Sequence, residues 1–190
     1  MSASEGPELL LEAVAYVRRE LGRNDVPHRR DGTKLTGIRQ LSRQVAVEDC
    51  AEFTGRISYA ALWEIMSTAD VCVNPDRAND MNDKSTMNKI IEYMALGKPI
   101  VQIDRTEGGF SAGEASLYAR PNDVANFVVK LCELLDDPDR RTSMGELGRS
   151  RAESAPPWHH QVPQRRPGSS RRWLAVNVGV RPRFVEKCET

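Results

Sequence analysis

No stretch of the 190-residue chain approaches the ~18 consecutive apolar residues of a membrane-spanning helix. Met1 to Pro7 is small, polar and acidic, without the basic-then-apolar order of a secretory signal. The expectation is therefore a cytoplasmic protein. No pair among Cys50, Cys72, Cys132 and Cys188 has C-x-x-C spacing, which excludes the common zinc and redox motifs. Cys72 and Cys132 lie inside apolar runs and read as buried thiols. The three histidines, His28, His159 and His160, are too scattered to build a metal site, so no metal and no cofactor are expected. Net charge is also missing: 27 basic residues balance 27 acidic ones, without the basic excess of a dedicated nucleic-acid binder. Aromatics are few, at 6%, but 39% hydrophobic content is too high for a wholly disordered chain. The length suits one sizeable domain, or one domain and a tail.

The zero charge hides two unlike parts. Residues 154–190 hold seven basic and two acidic residues, together with five of the eleven prolines. Segments such as Arg165-Arg166-Pro167-Gly168-Ser169-Ser170 cannot sustain a helix. This basic tail is expected to be disordered, apart from a short strand within Trp173 to Val180. The preceding residues alternate between helical and strand patterns. Leu10, Val14, Val17 and Leu21 recur at helical spacing. Further helices are expected at Leu35 to Ala46, Tyr59 to Ala69, Ser85 to Leu96, Val124 to Leu135 and Asp137 to Glu153. Strands are expected at Ala51 to Gly55, Asp70 to Pro75, Pro99 to Asp104 and Ser116 to Ala119. This alternation predicts an α/β fold, a Rossmann-like parallel sheet with helices on both faces. Such sheets bind ligands at the carboxyl ends of their strands.

The informative stretch runs from Asn74 to Ile103. On a helical wheel, Met87, Ile90, Ile91, Met94 and Ala95 form an apolar stripe, with Ser85, Asn88, Lys89 and Glu92 opposite. The expected amino end, Lys84-Ser85-Thr86, offers backbone N–H groups, two hydroxyls and an ammonium at the positive pole of the helix dipole, which suits a phosphate. Glu92 lies ~10 Å further along, at 1.5 Å rise per residue. A diphosphate at the helix start and a sugar diol beside Glu92 are thus consistent with one nucleotide. The same residues also fit an ordinary helix cap and a surface Lys89–Glu92 pair, and periodicity does not choose between the two.

The order of motifs does. Glu92-Tyr93-Met94-Ala95-Leu96-Gly97-Lys98-Pro99-Ile100-Val101 resembles the nucleotide-sugar-binding core of the family 4 (group 1) glycosyltransferases, which have the GT-B fold. Phe53-Thr54-Gly55-Arg56-Ile57, Ala119-Arg120-Pro121-Asn122-Asp123 and Leu134-Leu135-Asp136-Asp137-Pro138 resemble flanking segments of the same family. The likeness covers about Gly6 to Glu153, so residues 1–153 read as the carboxyl-terminal, donor-binding half of a GT-B enzyme. It implies that Glu92 holds the ribose of the donor, with Lys84, Ser85, Thr86, Asn88 and Lys89 near its diphosphate and sugar. The family's usual second glutamate, eight residues before the first, is replaced here by Lys84.

The resemblance implies a retaining, metal-independent transfer from a UDP- or GDP-type sugar onto an unidentified acceptor, in polysaccharide or glycoconjugate assembly. It also implies a missing amino-terminal acceptor-binding domain, without which the isolated chain is expected to be inactive. No nucleic-acid partner is expected, and a peripheral place at the inner face of the membrane stays open. The abrupt change to Arg, Pro and Ser after Glu153 reads as a shifted reading frame. A nonfunctional fragment, or a weak anion- or nucleic-acid-binding module acting through the tail, is the alternative.

Overall fold

The computed structural model describes residues 6–21, 28–29, 35–52, 58–76, 88–154, 174–177 and 182–183. The elements run α1 (Pro7–Leu21), β1 (His28–Arg29), α2 (Leu35–Gln44), β2 (Ala51–Glu52), α3 (Tyr59–Thr68), β3 (Val71–Asn74), α4 (Asn88–Ala95), β4 (Ile100–Ile103) and α5 (Thr106–Ala112). They continue with β5 (Ser116–Ala119), α6 (Val124–Asp136), α7 (Pro138–Glu153), β6 (Leu174–Asn177) and β7 (Pro182–Arg183).

The main sheet has the order β5-β4-β3-β6-β7. β3 pairs in parallel with β4 and with β6, β4 pairs in parallel with β5, and β7 runs antiparallel to β6. The fold is the expected Rossmann-like α/β arrangement. β6 lies within the segment expected to hold a strand. β1 and β2 form a separate two-stranded parallel sheet, with His28 opposite Ala51 and Arg29 opposite Glu52. β1 is thus no strand of the main sheet.

β3 and β4 are buried along their whole length, which their near-continuous apolar sequences foretold. Successive strand residues point to opposite faces. Val71, Val73, Val101 and Ile103 pack with Leu10, Val14 and Val17 of α1 and with Phe127 and Leu131 of α6. Cys72 and Ile100 pack with Leu62 and Met66 of α3, Tyr93 and Met94 of α4, and Ala152 of α7.

The helices begin where their caps dictate. Ser58 accepts from the Ala61 N–H, Asp123 from the Asn126 N–H and Asp137 from the Arg140 N–H. Pro138 occupies the first turn of α7, where a missing N–H costs nothing. α5 was not expected, since Gly108-Gly109 is a poor helical sequence. It is held from outside: Arg151 on α7 donates to the carbonyls of Phe110 and Ser111, at 2.5 and 2.8 Å, in its last turn.

The Gly97-Lys98-Pro99 motif has a structural explanation. Gly97 ends α4 at φ +64°, a left-handed conformation that glycine adopts without strain. A Cβ on Gly145 would lie 2.3 Å from the Gly97 carbonyl oxygen, so α7 docks directly on this turn. The buried Lys98 ammonium donates to the carbonyls of Ser67 and Ala69, both at 2.7 Å, closing the carboxyl end of α3.

Candidate functional site

The carboxyl ends of β3 and β4 gather Asn74, Asp76, Gln102 and Arg105, all buried. Gly6, at φ +57°, brings the start of α1 against this edge. A Cβ there would lie 1.7 Å from the Pro75 carbonyl oxygen, so only glycine fits. α4 begins beside the same edge and carries the described site candidates, Asn88, Lys89 and Glu92. Lys84, Ser85 and Thr86 lie outside the described residues.

Of the three, Asn88 is exposed and Glu92 half-buried, consistent with a side facing away from the core. Lys89 departs from expectation. It is only 7% exposed, and its Nζ lies 2.5 Å from the Asp76 carboxylate, itself 3% exposed. The wheel placed Lys89 on the water side because it left out Tyr93, which is fully buried. Lys89 lies about 40° from Tyr93 at 3.6 residues per turn, so including the tyrosine turns the buried face toward the lysine. The actual buried face is Lys89, Ile90, Tyr93 and Met94. The Lys89–Asp76 pair joins the residues on either side of segment 77–87, which carries Lys84, Ser85 and Thr86.

On the α4 face, at the carboxyl end of the sheet, the core changes character. Asn74 and Gln102 are register partners on adjacent strands, and both are 0% exposed. Gln102 donates to Ser116 Oγ at 3.0 Å and, with a longer contact of 3.4 Å, to the Gly108 carbonyl. Tyr118, in register beyond Gln102 on β5, donates to the Gly113 carbonyl at 2.8 Å. Burial raises the Tyr118 phenol above its usual pKa, partly opposed by its hydrogen bond with Ser116 and the charge of Arg151. Both amide atoms of Asn74, Oδ1 of Asp76 and Oε1 of Gln102 are buried without a hydrogen-bond partner.

Sequence reading missed Asn74, Asp76 and Gln102 as site residues. A signal existed for two of them: each is the polar member of an otherwise apolar strand run. For Asp76 there was none, since its partner lies thirteen residues away across a loop.

Other concavities carry less chemistry. A groove of about 880 Å³ between α1 and α2 is lined by residues including Glu12, Tyr16, Arg19, Arg43 and Asp49, on the opposite side of the sheet from α4. A smaller one, of about 210 Å³, lies among Asp70, Lys98, Arg141 and Glu146, before the amino ends of β3 and β4. Among the described residues, no three His, Cys, Asp or Glu side chains gather as a metal site. No helix among them is long and apolar enough to cross a membrane.

Open parallel α/β sheets bind their ligands at the carboxyl ends of the strands, the edge where this polar cluster and the start of α4 lie. The family model described as "Glycosyl transferases group 1" matches residues 1–137, and the chain belongs to that family. It is 29% identical over 126 residues to the GDP-mannose-dependent monoacylated alpha-(1-6)-phosphatidylinositol monomannoside mannosyltransferase of Corynebacterium glutamicum, a match covering 64% of this chain and 32% of that one. Sucrose-phosphate synthase from Thermosynechococcus elongatus shares the fold at TM-score 0.64 and 22% identity, covering 80% of this chain and 38% of that one. A mutant of S. aureus TarM, solved with UDP among its ligands, matches at TM-score 0.68 and 15% identity, covering 80% and 30%. The chain thus spans about a third of the length of each of these relatives.

Proposed function

We propose that the chain is the donor-binding domain of a retaining, metal-independent glycosyltransferase. It binds a nucleoside diphosphate sugar and presents it for transfer to an acceptor in polysaccharide or glycoconjugate assembly. The observation that carries this reading is the position of α4: its amino end adjoins the carboxyl edge of β3, and Glu92 lies one turn in on the side away from the core. The mannosyltransferase relative is named for GDP-mannose, and the TarM structure contains UDP. Both support a nucleotide donor.

In this reading the Glu92 carboxylate accepts hydrogen bonds from the two ribose hydroxyls, each charge-assisted. Lys84, Ser85 and Thr86 meet the diphosphate. Catalysis consists of stabilising the leaving diphosphate by cation, hydroxyls and N–H groups, while the acceptor hydroxyl attacks the anomeric carbon from the face the diphosphate leaves, the bond to the diphosphate breaks, and the hydroxyl proton passes to the departing phosphate oxygen. The transferred sugar keeps its anomeric configuration. Lys89 does not meet the phosphate; with Asp76 it anchors the first turn of α4. Transfer needs the acceptor-binding domain, so the 190 residues alone bind donor without turning it over.

Calorimetric titration with UDP and GDP tests the ribose role. Glu92→Ala weakens the preferred nucleotide at least about tenfold, as expected for one lost hydrogen bond to a charged group. Unchanged affinity overturns that role.

A further inference from the structure

The Lys89–Asp76 pair differs from the ion pairs at the surface. In Arg43–Glu48 and Arg149–Glu153 every side chain is at least 35% exposed, and such pairs contribute little. Lys89 and Asp76 are stripped of water, and their attraction at best offsets that loss. Apolar side chains would fill the same space without that cost. Burial therefore explains neither residue. What the pair adds is direction. Apolar packing is non-directional and lets a helix turn or slip by small steps. An ammonium meets a given carboxylate at one place only.

Both partners are tied to something that matters. Asp76 follows Pro75, whose ring fixes its own φ and whose carbonyl lies against Gly6 more closely than any side chain allows. Asp76 Oδ1 has no hydrogen-bond partner, so the described contact that aims this carboxylate is the one from Lys89 to Oδ2. Lys89 belongs to α4, a helix of eight residues and so only about 12 Å long. The rest of its buried face is Ile90, Tyr93 and Met94. Lys89 and Glu92 are three residues apart, about 60° round the helix axis. Any turn or slip that carries Lys89 away from Asp76 carries Glu92 with it.

We propose that Lys89 and Asp76 are positioning residues, whose pair sets the rotation and register of α4 on the sheet and so aims the Glu92 carboxylate at the donor. This rests on the donor-binding reading above and adds the device that orients its ribose-binding group. Neither residue touches the donor.

The test compares the 190-residue chain with Lys89→Met/Asp76→Leu, with Glu92→Ala and with the triple variant, by denaturant melts and by calorimetric titration with UDP and GDP. The apolar pair recovers most of the midpoint lost by Lys89→Met alone. It nevertheless binds the preferred nucleotide about tenfold more weakly, close to the loss from Glu92→Ala. The triple variant loses less than about threefold beyond the apolar pair, because residues that act through one contact do not add. A purely structural pair would move the midpoint and leave no such coupling. Three outcomes overturn the proposal: nucleotide affinity of the apolar pair within about twofold of the unmodified chain, full additivity of the two losses, or a midpoint as low as that of Lys89→Met with the affinity of the folded fraction unchanged. Ligand-free hydrogen exchange separates this from failure of the donor-binding reading. Backbone amides of Glu92–Ala95 exchange faster in the apolar pair than in the unmodified chain, and equal rates mean that the pair does not hold α4. If the unmodified chain binds neither nucleotide, the donor-binding reading fails and the aim at a donor with it, while exchange still decides whether the pair holds the helix.

Discussion

The two faces of the β3–β4–β5 sheet are built from the same alternating strands and end differently. Toward α1 and α6, the face is apolar along β3 and β4, from Val71 and Val73 to Val101 and Ile103. Toward α3, α4 and α7, it starts apolar with Cys72 and Ile100 and turns polar one step later, at Asn74 and Gln102. The first face packs α1 and α6 against the sheet. The second buries Asn74 and Gln102 where β3 and β4 end beside the start of α4, and Ser116 at the start of β5 is buried with them. The Asn74–Gln102 pair lies at the edge where this class of sheet binds ligands.

The comparison can be broken from either side. The largest effect is expected at the ion pair. Lys89→Met leaves the Asp76 carboxylate buried and unpaired, at about 3–5 kcal/mol of stability in denaturant melts. Adding Asp76→Leu recovers most of that loss, since an apolar pair fits the same space. No recovery would show that the pair does more than compensate its own burial. A smaller effect is expected from moving an amide to the other face. Val73→Asn puts a polar group among α1 and α6 side chains and costs about 1–3 kcal/mol. The opposite exchange, Asn74→Leu, costs nothing. Equal costs would erase the distinction between the faces.

The smallest effect concerns Cys72, on the apolar part of the second face. Burial pushes its thiol from 9.0 up to about 12, with a lesser downward pull from Lys98. The folded state therefore favours the neutral thiol. That contribution is intact below pH 9 and is lost as pH climbs toward 12. At pH 8, alkylation followed by peptide mapping should find Cys72 unmodified until the chain is unfolded. Labelling at the rate of an exposed thiol would contradict its burial.

How much of this was legible beforehand follows the physics. Strands buried on both faces announce themselves as apolar runs, and β3, β4 and β5 fall within the expected bounds. Caps such as Asp123 and Asp137 mark their helices directly. α5 was illegible because a carbonyl-binding arginine forty residues away holds it. Lys89 was misplaced because the wheel omitted one aromatic residue. The Lys89–Asp76 pair was invisible to local periodicity, since it joins two sides of a connection. Family likeness supplied the ribose role proposed for Glu92, and spacing alone left it beside an ordinary surface pair. The polar row needed strand register, which sequence does not state: Asn74 and Gln102 are twenty-eight residues apart and meet only across β3 and β4.

Hydrogen–deuterium exchange of the 190-residue chain, with and without saturating UDP or GDP, tests the central claim most directly. Nucleotide should slow exchange in peptides covering Asn74–Asp76 and Asn88–Glu92, and leave those from the middle of α1 and from α6 unchanged. Protection confined to the groove between α1 and α2, or none at saturation, would contradict a donor site at the carboxyl edge of the sheet.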